Sequence, residues 1–311
     1  MKAKVLVTNH VHPCLPSGLE TMGYEVLYDP EFSPEALDAI LPELTGVIIN
    51  TKIKMTAERI ALGKQLKFIG RLGSGLDIID LPAAKAHGVS VLNSPEGNRN
   101  AVAEHALGML LCLANNMRRG DAQVRERIWR REENRGFELE GKTIGLVGFG
   151  NTGQALARIL SPWALRLIYH DPYVLSVPDD LCNIESVSIH QLRKESDIIS
   201  LHVQLTEETR RLIDSDFLAE CRKGLILINT SRGAVVDTAD LIAALESGHV
   251  SGACLDVYEN EKPHSFDTEE DRLYGRLYAL DSVVLTPHVA GWTHESLRKI
   301  AQTLLDKIKG L

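Results

Sequence analysis

Gly145-Leu-Val-Gly-Phe-Gly-Asn-Thr-Gly153 is the strongest structural signal in the chain. It overlaps an apolar run, Thr143–Val147, and leads into a segment that favours a helix, Thr152–Leu160. In such a strand–turn–helix unit the first glycine permits a tight turn, the second lets a phosphate approach the main chain, and the third lets the helix pack closely. Backbone N–H groups at the helix N-terminus then bind the pyrophosphate of a dinucleotide. The pattern predicts a dinucleotide site at Gly148, Gly150, Asn151, Thr152 and Gly153.

An acidic residue stands where the ribose of such a dinucleotide is expected. The next apolar run, residues 165–170, ends at Asp171, which is 23 positions beyond Gly148. A carboxylate about 20 residues after the glycines commonly binds the ribose 2′-hydroxyl. Asp171 would repel a 2′-phosphate, and Pro172 and Tyr173 add no positive charge. We therefore expect NAD, rather than NADP, as the cofactor.

Length, charge and cysteine content exclude several classes of protein. The 311 residues suit two domains of roughly 150 residues each. A formal net charge of −8 argues against nucleic acid or an acidic membrane surface as a partner. No membrane span or cleavable signal peptide is recognisable, and the five cysteines are scattered without metal-ligand spacing. We expect a cytoplasmic protein with reduced thiols and no metal site.

Short apolar runs alternate with helical patterns along the whole chain, which predicts an α/β fold with two Rossmann-like, doubly wound domains. The long helical pattern 101–116 is apolar almost all round and should be buried. A final amphipathic helix is expected at 294–309, with Thr293 as its N-cap. The strands are predicted at Lys4–Thr8, Glu25–Tyr28, Val47–Asn50, Phe68–Leu72, Ser90–Leu92, Thr143–Val147, Leu165–His170, Asp197–Val203, Leu225–Asn229, Ser251–Val257 and Val283–Leu285.

Three polar clusters follow three of the later strands, and an open α/β sheet binds its ligands at that edge. The clusters contain Arg232, Asp256 with Glu261, and His288. Histidine titrates near neutral pH and can exchange the proton of an alcohol, and a neighbouring carboxylate would orient its imidazole. Arginine binds a carboxylate through two parallel hydrogen bonds. Together these residue types suit hydride transfer between a nicotinamide and a small 2-hydroxy acid.

Each of these residues alone also has a structural interpretation. Arg232 could cap the following helix, and His288 could be a satisfied loop histidine. Glu261 could be a solvated charge in a polar loop, and Asp256 could be a buried carboxylate at a strand end. It is the combination of the four, rather than any one of them, that indicates a catalytic site.

The chain resembles the D-isomer-specific 2-hydroxyacid dehydrogenases over nearly all of its length. The segment Arg71–Asp77 is similar to that family's substrate loop, and Asn93–His105 is similar to its crossover helix. The glycine fingerprint, Asn229–Gly233, Leu255–Glu261 and Thr286–Gly291 match in order and spacing. The resemblance implies a discontinuous substrate domain, 1–98 plus 287–311, and an NAD-binding domain, 99–286, with the active site in the cleft between them. It also implies a homodimer formed through the NAD-binding domain.

The resemblance further implies a role for each candidate residue. Arg232 would bind the substrate carboxylate, His288 would be the general acid/base, and Glu261 would pair with the imidazole of His288. Asp256 would hold the nicotinamide carboxamide. Further cofactor contacts are implied for His202, Thr230 and Gly291, and substrate contacts for Lys52, Ser74, Gly75 and Asn98.

Two loops depart from the family pattern. Lys262 separates Glu261 from Pro263, where the family usually has Glu-Pro, and the segment 264–278 that follows is long and charged. Gln204 stands where a proline is usual. The sequence therefore does not predict the path of the loop after Glu261. We still expect Glu261 to be the partner of the histidine.

The substrate is less well defined than the reaction. Phosphoglycerate dehydrogenases tend to place an arginine near the position of Asn50, and Lys52 or Lys54 would have to bind the phosphate here as point charges. We expect a D-3-phosphoglycerate dehydrogenase first and a glyoxylate/hydroxypyruvate reductase as the alternative. A non-catalytic, NAD-sensing protein similar to a corepressor is a third interpretation.

Overall fold

The structure, a computed structural model, describes residues 2–311 and divides into two compact units. One unit comprises the chain up to Arg99 together with Trp292–Leu311, and the other is Asn100–Gly291. The divisions fall after Arg99 and Gly291, whereas the sequence placed them after residues 98 and 286. The first unit is therefore discontinuous, since its last helix comes from the C-terminus.

The strands occur where the sequence has continuous apolar runs. In the first unit they are β1 (Lys4–Val7), β2 (Glu25–Tyr28), β3 (Leu44–Ile49), β4 (Phe68–Arg71) and β5 (Ser90–Leu92). In the second they are β6 (Thr143–Val147), β7 (Arg166–His170), β8 (Glu185–Ser186), β9 (Ile198–Leu201), β10 (Leu225–Asn229), β11 (Val250–Leu255) and β12 (Val283–Leu285). Every predicted strand is present, with ends that differ by up to three residues. The additional β8 is too short to leave a pattern.

The helices begin mostly at side chains that cap their N-termini. They are α1 (Cys14–Thr21), α2 (Leu37–Ile40), α3 (Ala57–Leu62), α4 (Leu81–Ala86), α5 (Pro95–Ala114), α6 (Met117–Arg125), α7 (Asn151–Leu160), α8 (Ile189–Glu195), α9 (Ser215–Ala219), α10 (Thr238–Glu246), α11 (Thr268–Tyr278) and α12 (His294–Lys309). The long helix α5 begins six residues earlier than predicted, because a proline is tolerated in the first turn of a helix. The predicted cap of α12 is confirmed, since Thr293 accepts a hydrogen bond from the Ser296 N–H.

The first unit is built on a five-stranded sheet in the order β2-β1-β3-β4-β5, with all neighbouring strands parallel. The apolar face of α12 closes one side of this sheet, and Leu304 and Ile308 are buried there against Val5 and Phe68. The approach of α1 to α12 is close, because a Cβ on Gly18 would lie 2.6 Å from the Leu305 side chain.

The second unit is built on a seven-stranded parallel sheet in the order β12-β11-β10-β9-β6-β7-β8. Successive residues of its central strands point to opposite faces, and each face has its own apolar cluster. On β10, Leu227 belongs to one cluster, whereas Ile226 and Ile228 belong to the other. Burial on both faces explains why these strands are continuous apolar runs. The central part of α5, including Ala106 and Met109, is buried in the second cluster.

Residues 2–311 contain neither a candidate membrane-spanning helix nor a candidate metal cluster. No helix in that range is long and apolar enough to cross a membrane. No group of three or more histidine, cysteine, aspartate or glutamate side chains in the described chain is arranged to hold a metal ion.

Candidate active site

The register of the seven-stranded sheet places four candidate residues and Thr286 in one row. Each of the strands β6, β9, β10, β11 and β12 ends at a residue that pairs with the last residue of its neighbour. These end residues are Val147, Leu201, Asn229, Leu255 and Leu285. The residues that follow them line the carboxyl edge of the sheet, where α/β proteins bind ligands. They are Gly148, His202, Thr230, Asp256 and Thr286. The sequence predicted the first four of these, and it did not identify Thr286.

The glycine fingerprint forms the turn that its sequence predicts. Gly148 has φ +91°, which favours glycine, and its N–H donates to the His170 carbonyl at 2.9 Å. A Cβ on Gly153 would overlap the Gly148 carbonyl oxygen, so this glycine is needed for the close packing of α7 on its own turn. A Cβ on Gly150 would meet nothing within 4 Å. Gly150 thus borders open space at the N-terminus of α7, where Asn151 and Thr152 form the first turn.

Asp171 is tied to the fingerprint directly. Its Oδ2 accepts a hydrogen bond from the Phe149 N–H at 2.7 Å, and its Oδ1 accepts one from the Tyr173 N–H at 2.9 Å. The carboxylate is half-buried at the end of β7. Each carboxylate oxygen keeps a further lone pair, so both remain able to accept from the hydroxyls of a ribose.

His202 and Thr230 stand next to each other in the row, and each has a buried polar atom without a partner. These atoms are His202 Nδ1 and Thr230 Oγ1, while His202 Nε2 lies 2.9 Å from the Ser200 hydroxyl. Burial lowers the pKa of His202 to about 4, so its imidazole is neutral at physiological pH. Buried polar groups are nearly always hydrogen-bonded in a working protein. The two orphaned atoms therefore indicate a place where a polar ligand binds.

The turn that carries Arg232 is organised by the side chain of Asn229. Asn229 Oδ1 accepts from the N–H and the hydroxyl of Ser231, and its Nδ2 donates to the Arg232 carbonyl at 3.0 Å. Gly233 packs so closely on the next strand end that a Cβ there would overlap the Tyr258 carbonyl. The Arg232 guanidinium donates to the Ser231 carbonyl at 2.7 Å. Sequence reasoning assigned no role to Asn229 or Ser231, although both lie in the motif.

Asp256 holds the loop of the candidate catalytic histidine. Three successive N–H groups donate to it: that of His288 to its carbonyl at 2.8 Å, and those of Val289 and Ala290 to its carboxylate at 2.9 and 2.8 Å. His288 has φ +56°, an uncommon backbone conformation for a residue other than glycine. Asp256 is 1% exposed. The structure thus shows the buried carboxylate that the sequence allowed, and a contact with the nicotinamide carboxamide stays a prediction.

Glu261 and His288 form the pair that the sequence predicts. His288 Nδ1 lies 2.8 and 3.0 Å from the two carboxylate oxygens of Glu261. Burial acts to raise the pKa of the Glu261 carboxyl, but the hydrogen bond to His288, the charge of the imidazolium and the nearby Arg232 together bring the pKa below its ordinary value. The carboxylate is therefore ionised at neutral pH and orients the imidazole.

The unusual Lys262 does not displace Glu261. The Lys262 N–H donates to the Asn260 side chain at 3.0 Å, and Pro263–Ser265 form one 3-10 turn. The long charged segment that follows becomes α11, whose N-terminus has a capping box between Asp267 and Glu270. The extra length is therefore a helix of the second unit, which the sequence did not predict.

The first unit contains the loop predicted to contact substrate. The Ser74 hydroxyl donates to the Asn98 side chain at 3.0 Å, and the Asn93 side chain donates to the Ser74 carbonyl at 2.8 Å. Gly75 follows in the same loop. Lys52 lies on the loop after β3, where its ammonium donates to the Pro30 carbonyl at 2.8 Å. The structure thus brings Ser74 and Asn98 together and gives Lys52 a partner on the backbone.

Comparisons with known proteins agree on one family. Residues 107–290, more than half of the chain, match the family D-isomer specific 2-hydroxyacid dehydrogenase, NAD binding domain. The hydroxypyruvate reductase of Thermotoga maritima is 39% identical over 274 residues, 88% of this chain and 87% of that protein. The D-3-phosphoglycerate dehydrogenase of Archaeoglobus fulgidus is 34% identical over 99% of this chain but only 58% of that protein. The structure of D-lactate dehydrogenase from Aquifex aeolicus, complexed with NAD and lactic acid, matches with a TM-score of 0.84 at 28% identity, over 99% of this chain and 94% of that one.

These matches confirm the family, the parallel α/β fold and the cofactor predicted from the sequence. The chain spans little more than half of the Archaeoglobus relative, and the names of the relatives differ in their substrates. The glycine fingerprint, Asp171 after β7 and the paired histidine all lie at one edge of the seven-stranded sheet. The chain belongs to the D-isomer specific 2-hydroxyacid dehydrogenases, a family of NAD-dependent oxidoreductases.

Proposed function

We propose that the chain reduces a small, unphosphorylated 2-keto acid, such as hydroxypyruvate or glyoxylate, with NADH. The observation that carries the proposed reduction is the His288–Glu261 pair, in which Nδ1 lies 2.8 Å from the nearer carboxylate oxygen. A histidine held in this way leaves Nε2 available to a substrate oxygen, as general acid catalysis requires.

The direction of proton transfer follows from the pair. An ionised carboxylate only accepts hydrogen bonds, so His288 Nδ1 must carry a proton and Nε2 is the atom whose proton is exchanged. In the reducing direction Nε2 donates its proton to the keto oxygen as the hydroxyl forms. Bound NADH supplies the hydride for substrate C2. Glu261 stabilises the imidazolium that exists before the transfer, and it takes no proton itself.

The second unit fits an NAD molecule on three observations. The space beside Gly150 is open, the Asp171 oxygens retain acceptor capacity, and His202 and Thr230 have buried polar atoms without partners. We assign the pyrophosphate to the turn Gly148–Gly153 and the adenosine ribose to Asp171. Thr230, His202, Asp256 and Gly291 would then hold the nicotinamide half.

Arg232 is assigned to the substrate carboxylate. It leaves the same sheet edge as His288, and its charge contributes to the lowered pKa of the Glu261 carboxyl. A guanidinium can bind a carboxylate through two hydrogen bonds and polarise the reacting carbonyl. For the first unit we propose that the N–H groups of Ser74 and Gly75 bind a substrate carboxylate, with Asn98 fixing the loop.

A small pocket in the first unit supports an unphosphorylated substrate. His10, His12, Asn50 and Trp292 line it together with Val11, Leu72, Leu297 and Ile300. Asn50 and Leu72 follow β3 and β4, so the pocket lies at the carboxyl edge of that sheet, where the Ser74 loop also begins. None of these described residues is a lysine or an arginine, the residues that usually hold phosphate. A short neutral tail such as a hydroxymethyl group suits this lining better.

A D-3-phosphoglycerate dehydrogenase, the activity expected first from the sequence, is the second candidate. It is supported by the relative from Archaeoglobus, which matches 99% of this chain, and by the exposed Lys54 on the loop after β3. Lys52 supports it less, because the ammonium of Lys52 is engaged by the Pro30 carbonyl.

The test is the rate of NADH oxidation with hydroxypyruvate, glyoxylate, pyruvate and 3-phosphohydroxypyruvate in parallel. A preference for the unphosphorylated acids is expected. A kcat/KM that is highest for the phosphorylated acid, and that falls in Lys54→Gln, would overturn the proposal in favour of the second candidate. NADH binding without turnover of any keto acid would favour the corepressor-like sensor.

We further propose that the enzyme is a cytoplasmic homodimer. Met117, Val124 and Trp129 expose large apolar side chains on the second unit, and the exposed fraction of Trp129 is 77%. Exposed apolar groups of this size favour a protein interface. The cysteines of the described chain are all free, which suits a reducing compartment. Sedimentation of wild type and Trp129→Ser tests the dimer.

A further inference from the structure

His105 faces the loop of His288 from a part of α5 that has no role in the mechanism above. On α5, His105, Met109 and Leu113 recur every four residues and so share one face. His105 Nε2 lies 3.0 Å from Thr286 Oγ1, and Met109 Sδ lies 3.7 Å from the same oxygen. Leu113 is the residue that a Cβ on Gly252 would meet at 2.8 Å. This face therefore runs along β11 and β12 and places His105 at their carboxyl edge.

The direction of each hydrogen bond in this cluster can be assigned. The Thr286 hydroxyl has one proton, and it donates that proton to Asp256 Oδ1 at 2.5 Å. Thr286 can then only accept from His105, so His105 Nε2 carries a proton and donates. The same Nε2 lies 3.6 Å from Asp256 Oδ1, which adds an electrostatic attraction when the ring is charged. His105 thus hydrogen-bonds the hydroxyl of Thr286 and lies beside the carboxylate that this hydroxyl binds.

The cluster of His105, Thr286 and Asp256 stabilises the uncommon backbone conformation of His288. The Asp256 carboxylate is buried, and a buried charge is stable only while hydrogen bonds surround it. Its two oxygens fix the N–H groups of Val289 and Ala290, directly after the residue with φ +56°. A conformation of this kind persists only when the surrounding structure determines it.

We propose that His105 is a positioning residue for His288. By donating to Thr286 it fixes the hydroxyl that Asp256 binds, and the Asp256 carboxylate in turn holds residues 289 and 290 and so keeps His288 in its left-handed conformation. The predicted effect on turnover rests on the function proposed above, whereas the effect on the turn does not.

The experiment compares His105→Leu with His105→Gln, since the Gln amide can donate from nearly the same place as Nε2. Hydrogen exchange of the Val289 and Ala290 amides and kcat are measured for both variants. The Leu variant should raise the exchange rates and lower kcat, each about tenfold, because the half-buried Thr286 hydroxyl loses its donor. The Gln variant should restore both. Glu104→Gln, exposed on the same helix, is the matched control and should change neither.

Three results would overturn the proposal. They are exchange at 289 and 290 that is unchanged in the Leu variant, a Gln variant as impaired as the Leu variant, and faster exchange spread evenly over the whole second unit. If exchange at 289 and 290 behaves as expected while no keto acid is turned over, the positioning role stands and the proposed function fails. Should the Leu variant not fold, His105→Asn, whose amide is too short to reach Thr286, replaces it.

Discussion

The two ends of the carboxyl edge of the seven-stranded sheet are built in different ways. At β6 the site consists of main chain from six consecutive positions, Gly148–Gly153, and the side chains matter mainly by being absent. At β10, β11 and β12 the site consists of the side chains of Arg232, Glu261 and His288, which come from distant segments, and a buried Asp256 holds the His288 loop. A local motif can thus specify the nucleotide end, whereas the catalytic end depends on long-range packing.

The largest expected effect comes from His288→Asn, which removes the proton carrier but keeps a residue that tolerates positive φ. We expect kcat to fall by about 100-fold or more, as loss of a general acid implies. NADH affinity should stay within about twofold, because the fingerprint lies at the other end of the edge. Steady-state rates and NADH fluorescence titrations measure the two quantities. An unchanged kcat would remove His288 from the chemistry.

Two glycine substitutions compare the ends directly. Gly233→Ala would force a Cβ into the Tyr258 carbonyl, so we expect a loss of about 1–3 kcal/mol in the free energy of unfolding. Gly150→Ala meets no protein atom within 4 Å, so stability should be preserved while NADH affinity falls about tenfold or more, because the methyl group takes space assigned to the pyrophosphate. Thermal unfolding and NADH titration of both variants are the measurement. Equal NADH binding by Gly150→Ala and wild type would contradict the assigned phosphate position.

We expect a smaller effect on cofactor binding from Asp171→Ala, and this substitution has two consequences. Asp171→Ala removes the ribose acceptor, and the affinity for NAD should fall about tenfold, with a narrower preference over NADP. It also leaves the Phe149 N–H without its acceptor. Asp171→Asn is the matched control, since its amide oxygen can still accept from Phe149 but carries no charge to repel a 2′-phosphate. If the ratio of the two cofactor affinities is the same in all three proteins, Asp171 does not determine cofactor choice.

The same contrast explains what the sequence could predict. The fingerprint, the strands and the cap of α12 depend on neighbours within a few positions, and each was found where the pattern placed it. The helix α11 was missed because its segment looked like a charged loop, although Asp267 and Glu270 form a capping box at its start. That spacing could have been recognised.

Other features had no signal in one sequence. Nothing around Thr286 or His105 indicates that they meet, because 181 positions separate them and only the packing of α5 on β11 and β12 brings them together. The clamp of three successive N–H groups on Asp256 is likewise a property of the folded loop. The Asn229 side chain lay inside a recognised motif, yet its role in shaping the Arg232 turn is visible only from its hydrogen bonds.

The smallest expected effect concerns His202, which follows β9 and lies between the two ends of the edge. Its pKa is lowered to about 4 by burial, whereas an unfolded chain binds the proton at the ordinary value of 6.5. Between these two pH values the His202 imidazole is protonated in the unfolded state but stays neutral in the folded state. The stabilisation is therefore fully present above pH 6.5 and decreases as the pH falls toward 4. From pH 7 to pH 5.5 the loss should be about 1 kcal/mol.

Urea unfolding of wild type and His202→Asn across this range isolates the contribution. The free energy of unfolding of the wild type should fall with decreasing pH by about 1 kcal/mol more than that of the variant. His87→Asn, which changes an exposed histidine of the first unit, should leave the wild-type pH dependence intact. Parallel pH curves for wild type and His202→Asn would mean that water or a mobile side chain solvates Nδ1. In that case the orphaned atom would no longer support a ligand at this point of the row.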